Sequence, residues 1–179
     1  MEVLVKEENN KVYGIVMEIE LMLQLRRELK IVPTPIGTVA HASSQNKCLG
    51  PPFILNCYQL RFLWEKGIIS INEPIVDEII YEVFKYFAEK RWVVKEGHKF
   101  GCEFLVYEGD PISNHSKYTV AIQNDIPAQK LVELCRISNY SNKILLVAYF
   151  NENGLNFKKI EWLAGKAREK PIPRIKNSK

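Results

Sequence analysis

The chain has no apolar run long enough to cross a bilayer. Its longest, ILLVAYF at residues 144–150, is strand-sized, against about 20 residues for a membrane-spanning helix. The opening MEVLVKEENNK lacks the basic n-region and long apolar stretch of a secretory leader. Cysteine is sparse and scattered: Cys48, Cys57, Cys102 and Cys135 form no CxxC pair and have no paired histidines nearby. A zinc site or disulfide framework is therefore not expected, and reduced thiols are. No membrane, metal or cofactor is read from these absences, and a cytoplasmic location is expected. What is present is an ordinary globular composition, 46% hydrophobic over 179 residues, enough for one domain or two small ones.

The net charge of +4 is small but unevenly placed: from residue 158 to the C-terminus, six Lys and two Arg stand against Glu161 and Glu169. A tail of this kind can track phosphates; a solvated terminus is the other reading.

Alternation predicts a first strand over residues 11–18, and residues 21–29 fit either a short helix or a continuation of that strand. Prolines and glycines between residues 31 and 52, around HASSQNK, mark turns and a surface loop. Leu55, Tyr58, Phe62 and Leu63 have helical spacing, which predicts a helix over 54–65 ended by Gly67. IISI at 68–71 reads as a strand, and Asn72-Glu73-Pro74 as a boundary, with Pro74 suited to the first turn of a helix. Ile75, Ile79, Ile80, Val83, Phe84 and Phe87 then recur at three or four, the stripe of an amphipathic helix over 75–90.

Beyond it the chain reads mainly as strands. Residues 92–95 and 100–107 flank a turn at Glu96-Gly97, with Phe100, Cys102, Phe104 and Val106 on one face and Glu103, Leu105 and Tyr107 on the other. A strand over 118–123 follows. Asp125 and Pro127 open a helix to about Ser138, with Leu131, Leu134 and Cys135 inward. Lys143 stands at the entry to the strand ILLVAYF, and NENG at 151–154 turns the chain into a last strand over 155–162. The expected fold is α/β in the mixed α+β sense. A small N-terminal α+β domain, residues 1–72, precedes a C-terminal mixed-sheet domain flanked by helices, residues 73–179.

Chemistry concentrates in residues 97–120, GHKFGCEFLVYEGDPISNHSKYTV, where Tyr107 at a strand end and His115 beyond a short loop can both move protons. Lys143, at another strand start, can converge with them if those strand ends share one edge of a sheet. Each of the three residue types also has an ordinary structural or solvated use.

The order and spacing of these residues resemble the catalytic domain of the archaeal tRNA splicing endonucleases. The resemblance is carried by the helix YEVFKYFAEKRWVV, the following KEGHKFGCEFLVYEGDP with its KFG, then His115-Ser116-Lys117-Tyr118, then Lys143-Ile144-Leu145-Leu146. It extends more weakly back through LGPPFILNCYQLRFLWEKGII and covers roughly residues 49–162, leaving residues 1–48 unmatched. It implies a catalytic triad of Tyr107, His115 and Lys143. The implied reaction needs no metal: a ribose 2′-hydroxyl attacks the adjacent phosphate, leaving a 2′,3′-cyclic phosphate and a 5′-hydroxyl. Imidazole, with an ordinary pKa of about 6.5, suits proton donation to the leaving 5′-oxygen. An ammonium suits the charge that develops on the phosphate. A phenol, with an ordinary pKa of about 10, is a poor base at neutral pH unless a cation depresses it, so Tyr107 can orient the 2′-hydroxyl as well as deprotonate it.

The resemblance further implies that Arg136 reaches across a subunit interface to stack on a bulged base, with Lys158 as a second basic residue of this kind. The implied substrate is precursor tRNA with bulge-helix-bulge sites. The turn NENG, strongly acidic in self-assembling members, carries only Glu152 here. That points to a heterotetramer with a related structural subunit, with a homotetramer as the alternative. Two rival functions stay open: a non-catalytic structural subunit of the same assembly, and a metal-dependent nuclease using Glu103 or Asp110 with a nearby Lys.

Overall fold

The computed structural model describes residues 3–8, 11–36, 50–123 and 126–161. Its first sheet is antiparallel, ordered β1-β2-β4-β3 from Leu4–Glu8, Lys11–Val16, Phe53–Leu55 and Thr34–Pro35. Between β2 and β3 the helix α1 (Ile19–Gln24) widens into a π-type turn, Leu25–Leu29. Residues 21–29 are thus helical, one of the two forms the sequence allowed. The hairpin partner β1 was not predicted. Helix α2 (Cys57–Glu65) follows β4, then α3 (Glu78–Glu89).

The second sheet is ordered β5-β6-β7-β8-β9: Val93–Glu96, Phe104–Tyr107, Tyr118–Ile122, Ile144–Asn151 and Gly154–Ile160. All its pairings are antiparallel except β7 with β8, which the helix α4 (Ala128–Tyr140) connects. The mixed α+β class is therefore as expected. No helix among the described residues is long and apolar enough to cross a membrane.

Period-2 alternation splits this sheet between two cores. Phe104, Val106, Val120 and Ala148 face α2 and α3, whose Leu60, Leu63, Phe84 and Phe87 pack with Val16 and Leu55 of the first sheet in one continuous cluster. Leu105, Ala121, Leu145 and Val147 face the other way, onto Leu134 and Cys135 of α4. Full burial of each large apolar side chain contributes about 1.5–3 kcal/mol, so neither sheet is stable in isolation from the helices between them.

Several local expectations fail for identifiable reasons. The predicted helix over 54–65 starts only at Cys57, because Asn56 caps it. Its side chain accepts from Gln59 N (2.9 Å), Gln59 Oε1 accepts from Asn56 N (3.1 Å), and Phe53–Leu55 is drawn into the sheet instead. IISI forms no strand; Ile69 is buried in the core, and Ile68 and Ile71 pack against it partly buried. The amphipathic helix starts at Glu78 rather than 75 because Asp77 caps it through Ile80 N (3.1 Å), which leaves Ile75 outside at 88% exposure. The predicted strand over 100–107 begins only at Phe104, since His98–Phe100 forms a 3-10 turn. Asp125 and Trp162 lie outside the described residues.

Three helices end in the same way, with a left-handed residue after the cap and two reversed backbone hydrogen bonds, the Schellman arrangement. Gly67 (φ 67) serves α2, Arg91 (φ 61) α3 and Asn142 (φ 54) α4. A side chain in this region costs about 1–2 kcal/mol that glycine largely avoids. Arg91→Gly is therefore expected to raise stability by on the order of 0.5–1 kcal/mol, read as a higher urea midpoint at unchanged m-value.

Candidate functional site

The end of α4 sets the position of Lys143. The buried Thr119 and Ser138 hydroxyls share a 2.6 Å hydrogen bond that ties the last turns of the helix to β7. With Asn142 left-handed, Asn142 N donates to Asn139 O (3.0 Å) and Lys143 N to Ser138 O (2.8 Å), which turns the chain into β8 at Lys143. The ammonium then donates to Ser141 O (3.1 Å) and lies 5.1 Å from the centre of the Phe100 ring. Burial pushes its pKa down.

Phe100 is delivered by the KFG segment. Phe100 N donates to Gly97 O (2.8 Å), and Gly101 (φ 68) reverses the chain behind it. A Cβ at Gly97 would lie 2.9 Å from backbone atoms of both Cys102 and Phe104, so the turn closes only over glycine.

Tyr107 is brought to the same edge by strand register. Val106, Tyr118 and Ile144 form one row across β6, β7 and β8; one step further along lie Tyr107, Lys117 and Lys143. Tyr107 shares its face with Leu105, and Lys143 with Leu145, both in the α4-side core. The two Cα atoms are thus about 10 Å apart, two strand spacings. Burial pushes the Tyr107 phenol up from its ordinary value, and a hydrogen bond with Ser116 only partly offsets this. The shift runs opposite to the depression a base would need: Tyr107 stays protonated at neutral pH.

His115 is exposed, in the loop between β6 and β7, and the residue after it is the buried Ser116 that meets Tyr107. Asp110 organises that loop. Its side chain accepts from Ile112 N (2.9 Å), and its carbonyl accepts from Ser113 N (3.0 Å) and Asn114 N (2.9 Å). The N-terminal half holds Asp110 in turn: Arg26 reaches it with both Nε (2.6 Å) and Nη2. The structure therefore brings Tyr107 and Lys143 to one face and edge, with the His115 loop rooted beside Tyr107. Among the described residues no hydrogen bond joins the three side chains to one another.

Arg136 is exposed on α4, beside Lys99 and Tyr140. Lys158 is exposed on β9, its ammonium 4.8 Å from the centre of the Tyr149 ring, in a different groove with Gln123 and Val147. The structure does not bring these two together within one chain. The basic tail beyond residue 161 lies outside the described residues. Both carboxylates of the metal-nuclease rival are engaged, Asp110 by Arg26 and Glu103 by Ile122 N (2.9 Å).

Sequence reasoning missed Arg26, Ser116 and Phe100. Arg26 lies 84 positions from its partner, and no local pattern announces such a pair. Ser116 and Phe100 had a signal, their places within the quoted HSKY and KFG segments.

Compared with known proteins, the family described as "tRNA intron endonuclease, catalytic C-terminal domain" matches residues 78–157, and that described as "TSEN34-like, N-terminal domain" matches residues 8–74. The second match extends the likeness into the first 48 residues, which the sequence reading left unmatched. Relatives include proteins named tRNA-splicing endonuclease in three archaea. That of Methanothermobacter thermautotrophicus is 33% identical over 130 residues, covering 61% of this chain and 76% of the relative. That of Saccharolobus solfataricus is 29% identical over 106 residues, covering 56% and 57%. That of Sulfolobus acidocaldarius is 25% identical over 134 residues, covering 63% and 74%. The chain thus spans little over half of the Saccharolobus protein and about three quarters of the other two.

The Arg26 hydrogen bonds hold the Asp110 carboxyl below its ordinary pKa of 3.8. Stability from this pair is therefore fully present above pH 3.8 and is lost as pH falls through the lower, folded value. Asp110→Asn and Arg26→Ala are each expected to lose on the order of 1–2 kcal/mol at pH 7. In denaturant titrations the gap between wild type and Asp110→Asn should close in that acid range and nowhere above it.

Proposed function

The chain belongs to the tRNA intron endonuclease family, and on that premise we propose that it is a catalytic subunit that cuts introns from precursor tRNA at bulge-helix-bulge sites. The observation that carries the reading is the Tyr107–Lys117–Lys143 row at one sheet edge, inside the segment that matches the family's catalytic domain. The working division is an N-terminal domain, residues 1–72, and a catalytic domain, residues 73–179.

In this reading the 2′-hydroxyl attacks its own 3′-phosphate in line. The O2′–P bond forms as the P–O5′ bond breaks, and the 2′-hydroxyl proton passes to solvent water, leaving a 2′,3′-cyclic phosphate and a 5′-hydroxyl. His115 gives its proton to the departing 5′-oxygen. Lys143, whose ammonium is partly desolvated, stabilises the charge that accumulates on the non-bridging oxygens. Tyr107, protonated at neutral pH because burial raises its pKa, orients the attacking hydroxyl by hydrogen bonding. General-base work by Tyr107 would require a cation to reverse that shift.

Two cuts require two such sites at a fixed separation, so the subunit works in an assembly. Glu152 as the only charge in the NENG turn supports a heterotetramer with a related structural subunit rather than a homotetramer. The location that fits this substrate is cytoplasmic.

His115→Ala is expected to abolish cleavage of bulged precursor RNA while RNA binding stays within a few-fold, because phosphate contacts supply most of the affinity. Wild-type cleavage by that variant would remove the assignment. Cleavage should also persist in excess EDTA; its loss on chelation, with recovery on adding a divalent cation, would favour the carboxylate-metal mechanism.

A further inference from the structure

Burial does not hold His115 in place. Residues 112–115 are all exposed, and Ile112, the large apolar side chain among them, is 43% exposed. The loop is shaped by hydrogen bonds instead, and these converge on Asp110. Its carbonyl accepts from Ser113 N (3.0 Å), Asn114 N (2.9 Å) and the Asn114 side-chain amide (3.0 Å). That amide lies close over Gly109, where a Cβ would come within 2.6 Å of it. On the other side of His115, Ser116 is buried and Lys117 N donates to Val106 O (2.9 Å). His115 thus stands between a turn closed by Asp110 and a strand fixed in the sheet.

Arg26 ties that turn to the rest of the molecule. Its Nε donates to Asp110 Oδ2 (2.6 Å) and its Nη2 to Oδ1, while Oδ1 also accepts from Ile112 N (2.9 Å). A planar fork on two oxygens fixes direction as well as distance, which an ammonium does not. The arginine is itself anchored: its side chain is 14% exposed, and the turn that carries it is rooted by Leu25 at 1% exposure. From the N-terminal core the path runs through Arg26 and Asp110 to Asn114, with a hydrogen bond at each step, and Asn114 is the residue before His115.

From this path we infer that Arg26 is a positioning residue for cleavage: through Asp110 it holds the loop so that His115 meets the departing 5′-oxygen. The inference rests on the proton-donor role proposed above for His115 and adds to it a residue of the N-terminal half. Arg26 touches no reacting atom. Its loss frees the turn, and a donor displaced by about 1 Å loses on the order of 100-fold in rate. The phosphate contacts that carry most of the RNA affinity stay in place.

The test uses the full chain with whatever subunits purify with it, in single-turnover cleavage of two bulged precursor RNAs well below the variants' Tm. One RNA is unmodified; the other carries sulfur in place of the 5′-oxygen at the cut. With sulfur, the O2′–P bond forms as the P–S bond breaks, the 2′-hydroxyl proton passes to solvent water, and the sulfur leaves as a thiolate that needs no proton donor. On the unmodified RNA, Arg26→Ala is expected to be on the order of 10–100-fold slower, with its Kd for RNA within about threefold of wild type. Asp110→Asn, which keeps the Ile112 cap and loses the fork, should slow cleavage likewise, and the double variant should be no slower than the slower single one. Arg26→Lys should fall between wild type and Arg26→Ala. On the sulfur RNA these variants and His115→Ala should all recover to within about threefold of wild type. If His115→Ala recovers and Arg26→Ala does not, or if Arg26→Ala cuts unmodified RNA at the wild-type rate, the positioning role is wrong and the endonuclease reading stands. Should Arg26→Ala fail to fold, Arg26→Lys and Asp110→Asn decide the matter by the same comparison. If the wild type cuts neither RNA, both readings are overturned.

Discussion

Because β7 and β8 run parallel, the chain leaving β7 at Ile122 must return to the end of the sheet where β7 began before it can form β8. A hairpin would have placed Lys143 at the opposite edge from Tyr107. The α4 crossover makes the return, as parallel neighbours require. The closing of its last turns over the Thr119–Ser138 hydrogen bond (2.6 Å) fixes where the return ends. Everything proposed for the site depends on that pairing: the shared row of Tyr107 and Lys143 and the contact of Lys143 with Phe100.

The N-terminal half stays on the other side of the sheet, yet it reaches the edge that carries Tyr107 and Lys143. Its core is continuous with the α3 face, and Arg26 passes beyond that core to grip Asp110 in the loop carrying His115. The half-buried Lys95 lies close by, its pKa pushed down by burial and by the Arg26 charge, with Asp110 and Glu96 acting against the shift. Arg26 thus holds the loop carboxylate through hydrogen bonds, and Lys95 acts on it at longer range. Loop placement is therefore linked to the packing of the N-terminal half, although no residue of that half is assigned to chemistry.

The sequence was most legible where one periodic signal met no competitor. The α3 stripe, the β7 and β8 runs and the NENG turn, where Gly154 is left-handed (φ 93), were all readable. Where two signals competed, the local cap won. Asn56 and Asp77 delayed the starts of α2 and α3, and the helical spacing upstream of each was spent on strand or coil instead. Alternation of Phe100, Cys102, Phe104 and Val106 suggested a continuous strand. Gly97 and Gly101 instead fold its first half into a turn, sending Cys102 to the α4 side and Phe104 to the other. At the candidate site the residue types were visible and the geometry was not. Convergence of Tyr107 with Lys143 depends on strand order, and the Arg26 anchor on a contact 84 positions apart.

The protonation states make a further point about the proposed site. Burial pushes Tyr107 up and Lys143 down, so both shifts favour the neutral form. For Lys143 this means a cation partly desolvated against an aromatic ring and a backbone carbonyl, where no carboxylate contributes to its shift. Other lysines differ: Lys85 lies 3.0 Å from Glu65 and Lys117 lies 2.7 Å from Glu108, and in both cases the pKa is raised, while Lys95, also pushed down by burial, has Asp110 and Glu96 acting against the shift. A phosphate arriving beside Lys143 supplies the missing negative charge, and its field restores the proton affinity that burial removed. That gain grows as the phosphate becomes more negative along the reaction, so an unbalanced lysine at the sheet edge favours the transition state over the bound substrate.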